Sequence, residues 1–79
     1  MTIEFKKNQV LFKNEVGVEE AELLLEWLQK KNAPKADFSA CTHLHAANLQ
    51  VLMATAPTIT AWPVDEAFTV WLQSALGMS

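Results

Sequence analysis

Apolar residues occupy alternate positions in two short runs at the start of the chain. These residues are Ile3 and Phe5 in the first run and Val10 and Phe12 in the second. A period of two is typical of a strand that buries one of its faces. Lys7 and Asn8 separate the two runs, so the pattern predicts an antiparallel hairpin. Nearby lysines (Lys6, Lys7 and Lys13) are interpreted as the solvated face of an edge hairpin rather than as an anion site.

Helical spacing is clearest over residues 18–31. Five apolar side chains fall on one stripe of this segment: Val18, Ala21, Leu24, Leu25 and Leu28. Acidic residues lie in the first turn, and Lys30 and Lys31 lie in the last, which suits the helix dipole at both ends. Gly17 is a candidate N-cap, and Pro34 ends the segment because proline lacks a backbone donor. Trp27 is expected at the rim of the packing face.

The rest of the chain alternates between strand and helix patterns. Residues 35–40 and 58–62 predict two short strands, and residues 46–54 predict a helix that is buried on most sides. A last helix is predicted over residues 64–76. Asp65 and Glu66 lie in its first turn, and Gly77 is at its C-cap position.

These elements predict an α/β fold of order ββαβαβα in one domain, residues 1–79. Strands that alternate with helices across short connections pair in parallel through right-handed crossovers. We therefore expect a small mixed sheet of about four strands, with the N-terminal hairpin antiparallel and the helices covering the sheet. A chain of 79 residues leaves no room for a second domain.

Composition narrows the class of protein and of partner. The chain is 51% hydrophobic and 19% charged, which indicates a globular domain. Its net charge is -3 and it contains no arginine, so nucleic acid is not an expected partner. A single cysteine, Cys41, cannot form an intramolecular disulfide, which favours a reducing cytoplasm.

Targeting segments are not predicted. The first thirteen residues mix charged with apolar side chains, unlike a secretory signal. Residues 38–64 are uncharged and long enough to cross a bilayer, but polar residues and two prolines interrupt them. The expectation is a soluble, cytoplasmic protein without membrane insertion.

One small cluster offers candidate chemistry. Cys41, His43 and His45 are predicted to lie in a loop between a strand and a helix. Three potential zinc ligands with no second pair elsewhere are a weak metal motif, and no partner that could orient a Cys–His nucleophile is evident. The preferred interpretation is a buried thiol with loop or capping histidines, so no catalytic residue, metal or cofactor is expected. Asp37, in a central strand, is predicted to bond a neighbouring loop or helix start.

Residues 36–53 resemble the central block of STAS domains, the family of sulphate transporters and anti-anti-sigma factors. That block consists of a strand ending in Asp-Leu-Ser, a turn reading Asp-Ser-Ser-Gly or Asp-Ser-Ala-Gly, and a helix beginning Leu-x-x-Leu-Leu. Asp37 matches the strand-end aspartate and Leu49 the first helix leucine. The hairpin and the glutamate-rich helix also follow the family's order, so the resemblance covers nearly the whole chain.

The resemblance implies a short, divergent member without the family's phosphorylation switch. In partner-switching members, a serine or threonine at the start of this helix is phosphorylated, which releases the bound partner. Here the turn positions hold His45, Ala46, Ala47 and Asn48, so Ala46 and Ala47 stand at the switch and can accept no phosphoryl group.

The function expected is therefore a non-enzymatic protein–protein interaction module in bacterial signalling or regulation. The residues expected to face an unidentified protein partner are His43, His45, Ala46, Ala47 and Asn48. One alternative is an accessory subunit of a larger complex, such as a lipid-transport assembly, or a homo-oligomer; three tryptophans favour it, because aromatic residues are enriched at interfaces. The other alternative is a metal-binding or catalytic protein that uses Cys41, His43 and His45.

Overall fold

The computed structural model describes residues 2–77. Within that range the strands are β1 (Ile3–Phe5), β2 (Gln9–Val16), β3 (Lys35–Leu44) and β4 (Thr58–Ala61), and the helices are α1 (Ala21–Lys30), α2 (Ala46–Thr55) and α3 (Glu66–Ala75). A 3₁₀ turn, Val18–Glu20, leads into α1. The predicted order ββαβαβα is confirmed. No helix in this part of the chain has the length and apolar composition needed to cross a membrane.

The four described strands form one sheet in the order β1-β2-β3-β4. β1 is antiparallel to β2, whereas β3 is parallel to both β2 and β4, so the predicted mixed sheet with an N-terminal hairpin is confirmed. Right-handed crossovers that step along a sheet in one direction place their helices on the same side. Accordingly, α1 and α2 pack against each other.

The hydrophobic core lies between the sheet and the helices. Phe12 and Phe38 are at its centre, with their rings stacked 4.3 Å apart between centroids. Around them lie buried side chains from β1, β2, β3 and the three helices: Ile3, Val10, Val16, Ala36, Cys41, Leu44, Leu24, Leu28, Val51, Leu52 and Leu72. Trp27 is half-buried against Phe5, with 5.3 Å between ring centroids, which confirms its rim position.

The hairpin carries its own ion pairs. Lys13 Nζ donates to Glu4 Oε2 at 2.8 Å, and Lys6 Nζ lies 3.8 Å from Glu4 Oε1. The hydrogen bond from Lys13 is the largest cause holding the pKa of Glu4 below its ordinary value. Two of the three lysines of the predicted basic cluster thus face a carboxylate, in keeping with a solvated strand edge.

Strands β2 and β3 are both longer than the sequence predicted. The expectation that Cys41 and His43 lie in a loop is wrong, since β3 continues to Leu44. Two shifts in the β2–β3 register mark bulges, and Asn14 adopts a positive φ of 56° beside one of them. Bulges break the alternation of side chains, so β3 buries every third residue here: Phe38, Cys41 and Leu44.

Strand β4 covers only the beginning of β3. Its register with β3 ends where Asp37 faces Ala61. Pro63 follows two residues later and cannot donate to a ladder, which accounts for the early end of the strand. On the side facing away from β2, residues 38–44 of β3 therefore have no strand beside them within the described chain.

Candidate interaction surface

His45 caps the first turn of α2. It has extended backbone geometry, and its Nδ1 accepts a hydrogen bond from the Ala47 N–H at 3.0 Å. Acceptance at Nδ1 places the proton of the neutral imidazole on Nε2. The interpretation of His45 as a capping histidine is confirmed. Ala46 and Ala47 are consequently the first two helical residues, with Ala46 exposed and Ala47 half-buried.

Asn48 does not belong to the exposed surface that the sequence predicted. Its side chain is 0% exposed. Nδ2 donates to the carbonyl oxygen of Gly17 at 2.8 Å and to that of Val16 at 3.4 Å, while Oδ1 has no hydrogen-bond partner among the described residues. Asn48 thus ties the first turn of α2 to the end of β2. The physical reason for the correction is that Asn48 shares a helical stripe with buried Val51 and Leu52.

A stripe of small and apolar residues runs along the exposed side of α2. Ala46, Gln50, Met53 and Ala54 follow the spacing of one helix face, and all four are exposed. Met53 leaves 56% of its surface in solvent. Only Gln50 among the four is polar. We call this stripe, together with His43, His45 and Ala47, the α2 surface.

Cys41 is a buried residue of β3 on the core side of the sheet, and its thiol has little nucleophilic character. Its Sγ–H donates to the His43 carbonyl oxygen at 3.4 Å. Burial raises the pKa of the thiol from 9.0 to about 11, so the thiolate is scarce at neutral pH. The thiol is the buried cysteine that the sequence predicted.

Cys41, His43 and His45 are not brought together as ligands. Over residues 2–77, no group of three or more His, Cys, Asp or Glu side chains is arranged to hold a metal ion. His43 is exposed on β3, whereas the Nδ1 of His45 is engaged at the cap of α2. The metal-binding and catalytic alternatives therefore gain no support from geometry.

Asp37 bonds within its own strand instead of to a loop or helix start. Its Oδ1 accepts from the backbone N–H of Ser39 at 2.8 Å and from the Ser39 hydroxyl at 2.7 Å. Both bonds span the β3 segment that bulges opposite β2. The carboxylate thus stabilises a strand irregularity, which is a structural role.

A second surface, not predicted from the sequence, lies between β3 and α3. Two adjoining hollows of about 410 and 430 Å³ share Thr42 and Asp65. Their other lining residues come from the uncovered part of β3 and from the start of α3: Ser39, Ala40, Cys41, His43, Leu44, Val64, Ala67, Phe68 and Trp71. We call this the β3–α3 groove. The sequence signal for it was Pro63, which limits the length of β4.

Comparison with family models, curated proteins and solved structures gives no match for this chain.

We expect the cap of α2 to contribute measurably to stability. In His45→Ala the N–H of Ala47 loses its acceptor, and the free energy of unfolding should fall by about 1 kcal/mol. His45→Asn should retain most of the stability, because asparagine is a favoured N-cap. Urea denaturation of the three proteins measures the difference. Equal stability of all three would show that the cap contributes nothing.

Because the Cys41 thiol is buried, we expect the protein to lose stability at alkaline pH. The folded-state pKa of Cys41 lies above its ordinary value of 9.0. The stability that depends on the neutral thiol is therefore fully present below about pH 9. As the pH rises towards 11, ionisation favours the unfolded chain by up to about 2–3 kcal/mol. Urea denaturation at about pH 8 and about pH 10.5 should show a larger loss for wild type than for Cys41→Ala. An identical loss would contradict the prediction.

Proposed function

We propose that this chain is a non-enzymatic, STAS-like protein-interaction module of bacterial signalling or regulation. It works in the cytoplasm and binds a protein partner through the α2 surface. Binding requires neither a metal nor a cofactor, and nucleic acid is not the partner. Asn48, which the sequence assigned to this surface, instead supports it from below.

The observation that carries the proposal is the exposed stripe of α2. A helix that is apolar on nearly all sides is normally enclosed by its own protein. Here Ala46, Met53 and Ala54 remain exposed although α2 already packs its other face into the core. Alanines allow another backbone to approach closely, and methionine adapts to the shape of a partner. This side of α2 is suited to packing against a second protein.

The STAS resemblance supports the same surface. It implies that partner binding in the family centres on the start of this helix, where this chain has Ala46 and Ala47. Neither alanine can accept a phosphoryl group, so the proposed complex is not released by phosphorylation at these positions.

A charge placed on the α2 surface tests the proposal. Ala46 is exposed at the first helical position, where an acidic side chain suits the helix dipole, so Ala46→Glu should fold normally. Affinity capture from a bacterial lysate, quantified by mass spectrometry, should recover a partner with wild type and lose it with Ala46→Glu. Gln29→Glu adds the same charge on the exposed side of α1 and should retain the partner. Equal recovery with both variants would refute the proposal.

The second candidate is an accessory subunit that packs on a larger complex or on a second copy through α3. Three apolar side chains in and before this helix are strongly exposed: Val64 at 89%, Val70 at 59% and Trp71 at 45%. Trp71→Glu should then abolish capture while Ala46→Glu preserves it. Sedimentation at increasing concentration distinguishes a second copy from a different protein.

A further inference from the structure

We propose that the β3–α3 groove binds an extended peptide segment of a partner protein, which adds to the sheet as a strand beside β3. The groove meets the α2 surface at His43, but the inference does not depend on that surface. It rests on the uncovered edge of β3, on the groove wall formed by α3, and on the charge of the groove.

The uncovered edge of β3 is long enough to hold such a segment. Residues 38–44 have β2 on one side and no strand on the other within the described chain. At a rise of about 3.3 Å per residue, this edge extends for roughly 20 Å. Backbone N–H and C=O groups on a free edge pair readily with an added strand of about six residues.

This edge is bulged opposite β2, but it lacks the other features that protect free edges. At the opposite edge of the sheet, β1 is three residues long and contains Glu4, whose carboxylate pairs with Lys13 of β2. Residues 38–44 contain no lysine, carboxylate or proline. Short length, charge and proline are the usual means of preventing strand addition, so β3 is open to pairing where β1 is not.

Helix α3 supplies a wall against which the side chains of an added strand can pack. Phe68 and Trp71 face the groove with their ring centroids 5.9 Å apart. Asp65 holds the start of α3 in place, because its Oδ1 accepts from the Phe68 N–H at 2.8 Å. A peptide beside β3 would therefore place alternate apolar side chains against a pre-formed aromatic surface.

The charge of the groove favours a basic peptide over a second copy of this chain. Asp65 lines both hollows, and no lysine lines either of them. Pairing two copies through this edge would bring together two groups of like charge, Asp65 and Glu66 of each subunit, within a molecule of net charge -3. The segment that fits is apolar at alternate positions and carries one lysine or arginine next to Asp65.

Selection from a phage-displayed library of random heptapeptides tests the inference. We expect enrichment of peptides that alternate apolar residues and carry a lysine or arginine. A synthetic copy of a selected peptide should shift the backbone amide NMR signals of residues 39–44. Thr42→Lys, which puts a cation into the groove, should weaken binding at least about tenfold. Asp65→Asn keeps a favoured N-cap and should weaken binding about two- to fivefold, with a flatter salt dependence.

Matched controls separate this inference from the proposed function. Ala46→Glu should leave peptide affinity unchanged, whereas Thr42→Lys should leave capture through the α2 surface unchanged. Absence of enrichment over background would overturn the inference. So would NMR shifts confined to other elements, or shifts of residues 39–44 that grow with protein concentration alone, since these would mark pairing of two copies.

Discussion

Phe38→Ala is expected to lower the free energy of unfolding by about 3–5 kcal/mol. Phe38 is 0% exposed, lies in the middle of the sheet, and stacks on Phe12. Its removal leaves a cavity that the surrounding strands cannot fill. Domains of this size have total stabilities of roughly 4–12 kcal/mol, so the substitution should remove much of the free energy of unfolding. Urea denaturation followed by tryptophan fluorescence measures the loss.

Two variants bracket that result. Phe38→Leu keeps most of the buried volume and should lose clearly less stability. Trp71→Ala removes a larger side chain, but from a position that is 45% exposed, and should lose less than about 1 kcal/mol. If Phe38→Ala lost no more than Trp71→Ala, the described packing between sheet and helices would be wrong.

The order of elements could be predicted because most of them follow an undisturbed period. The hairpin alternates with a period of two, and the stripe through Leu24 and Leu28 follows a helical period. Prolines marked boundaries correctly, since Pro34 precedes β3 and Pro63 follows β4. Local rules of this kind do not depend on which other segments the chain later meets.

The second half of β3 could not be predicted because its pattern depends on pairing. Burial of Phe38, Cys41 and Leu44 at every third position fits neither a regular strand nor a helix. The spacing makes sense only once β2 is alongside, with bulges that reset the alternation. A strand boundary placed at residue 40 therefore left His43 in a loop, and the β3–α3 groove went unnoticed.

The candidate site was predicted in part. Histidine is not among the favoured N-cap residues, yet His45 caps α2. Capping was one of the two roles expected for this histidine, the other being a place in the loop. Asn48 was placed on the surface because it occupies the last turn position in the STAS resemblance. Its spacing from Val51 and Leu52 already marked it as part of the buried stripe, and that signal should have outweighed the resemblance.

The interior position of Asn48 predicts a second large effect. In Asn48→Asp the amide that donates to the carbonyls of Val16 and Gly17 becomes a carboxylate, which can only accept while it is ionised. The carboxylate oxygens would face the carbonyl oxygens of Val16 and Gly17 in a site with no solvent exposure, and the negative charge would have no partner. Breaking the pairing of a buried charge destabilises a protein by about 3–5 kcal/mol, so the variant should lose much of its stability near pH 7.

The same substitution should be partly rescued by acid. Because burial disfavours the ionised form, the folded-state pKa of the introduced carboxyl would exceed its unfolded value. The introduced carboxyl is then tolerated best below its pKa in the unfolded chain, and the folded state loses stability as the pH rises above that value. Circular dichroism during urea denaturation at about pH 4 and about pH 7 should show the gap between wild type and Asn48→Asp narrowing at the lower pH. Asn48→Ala, which carries no charge, should show a gap that does not vary with pH. A pH-independent deficit in Asn48→Asp would mean that position 48 is solvated, and that the start of α2 is not anchored to the end of β2 as described.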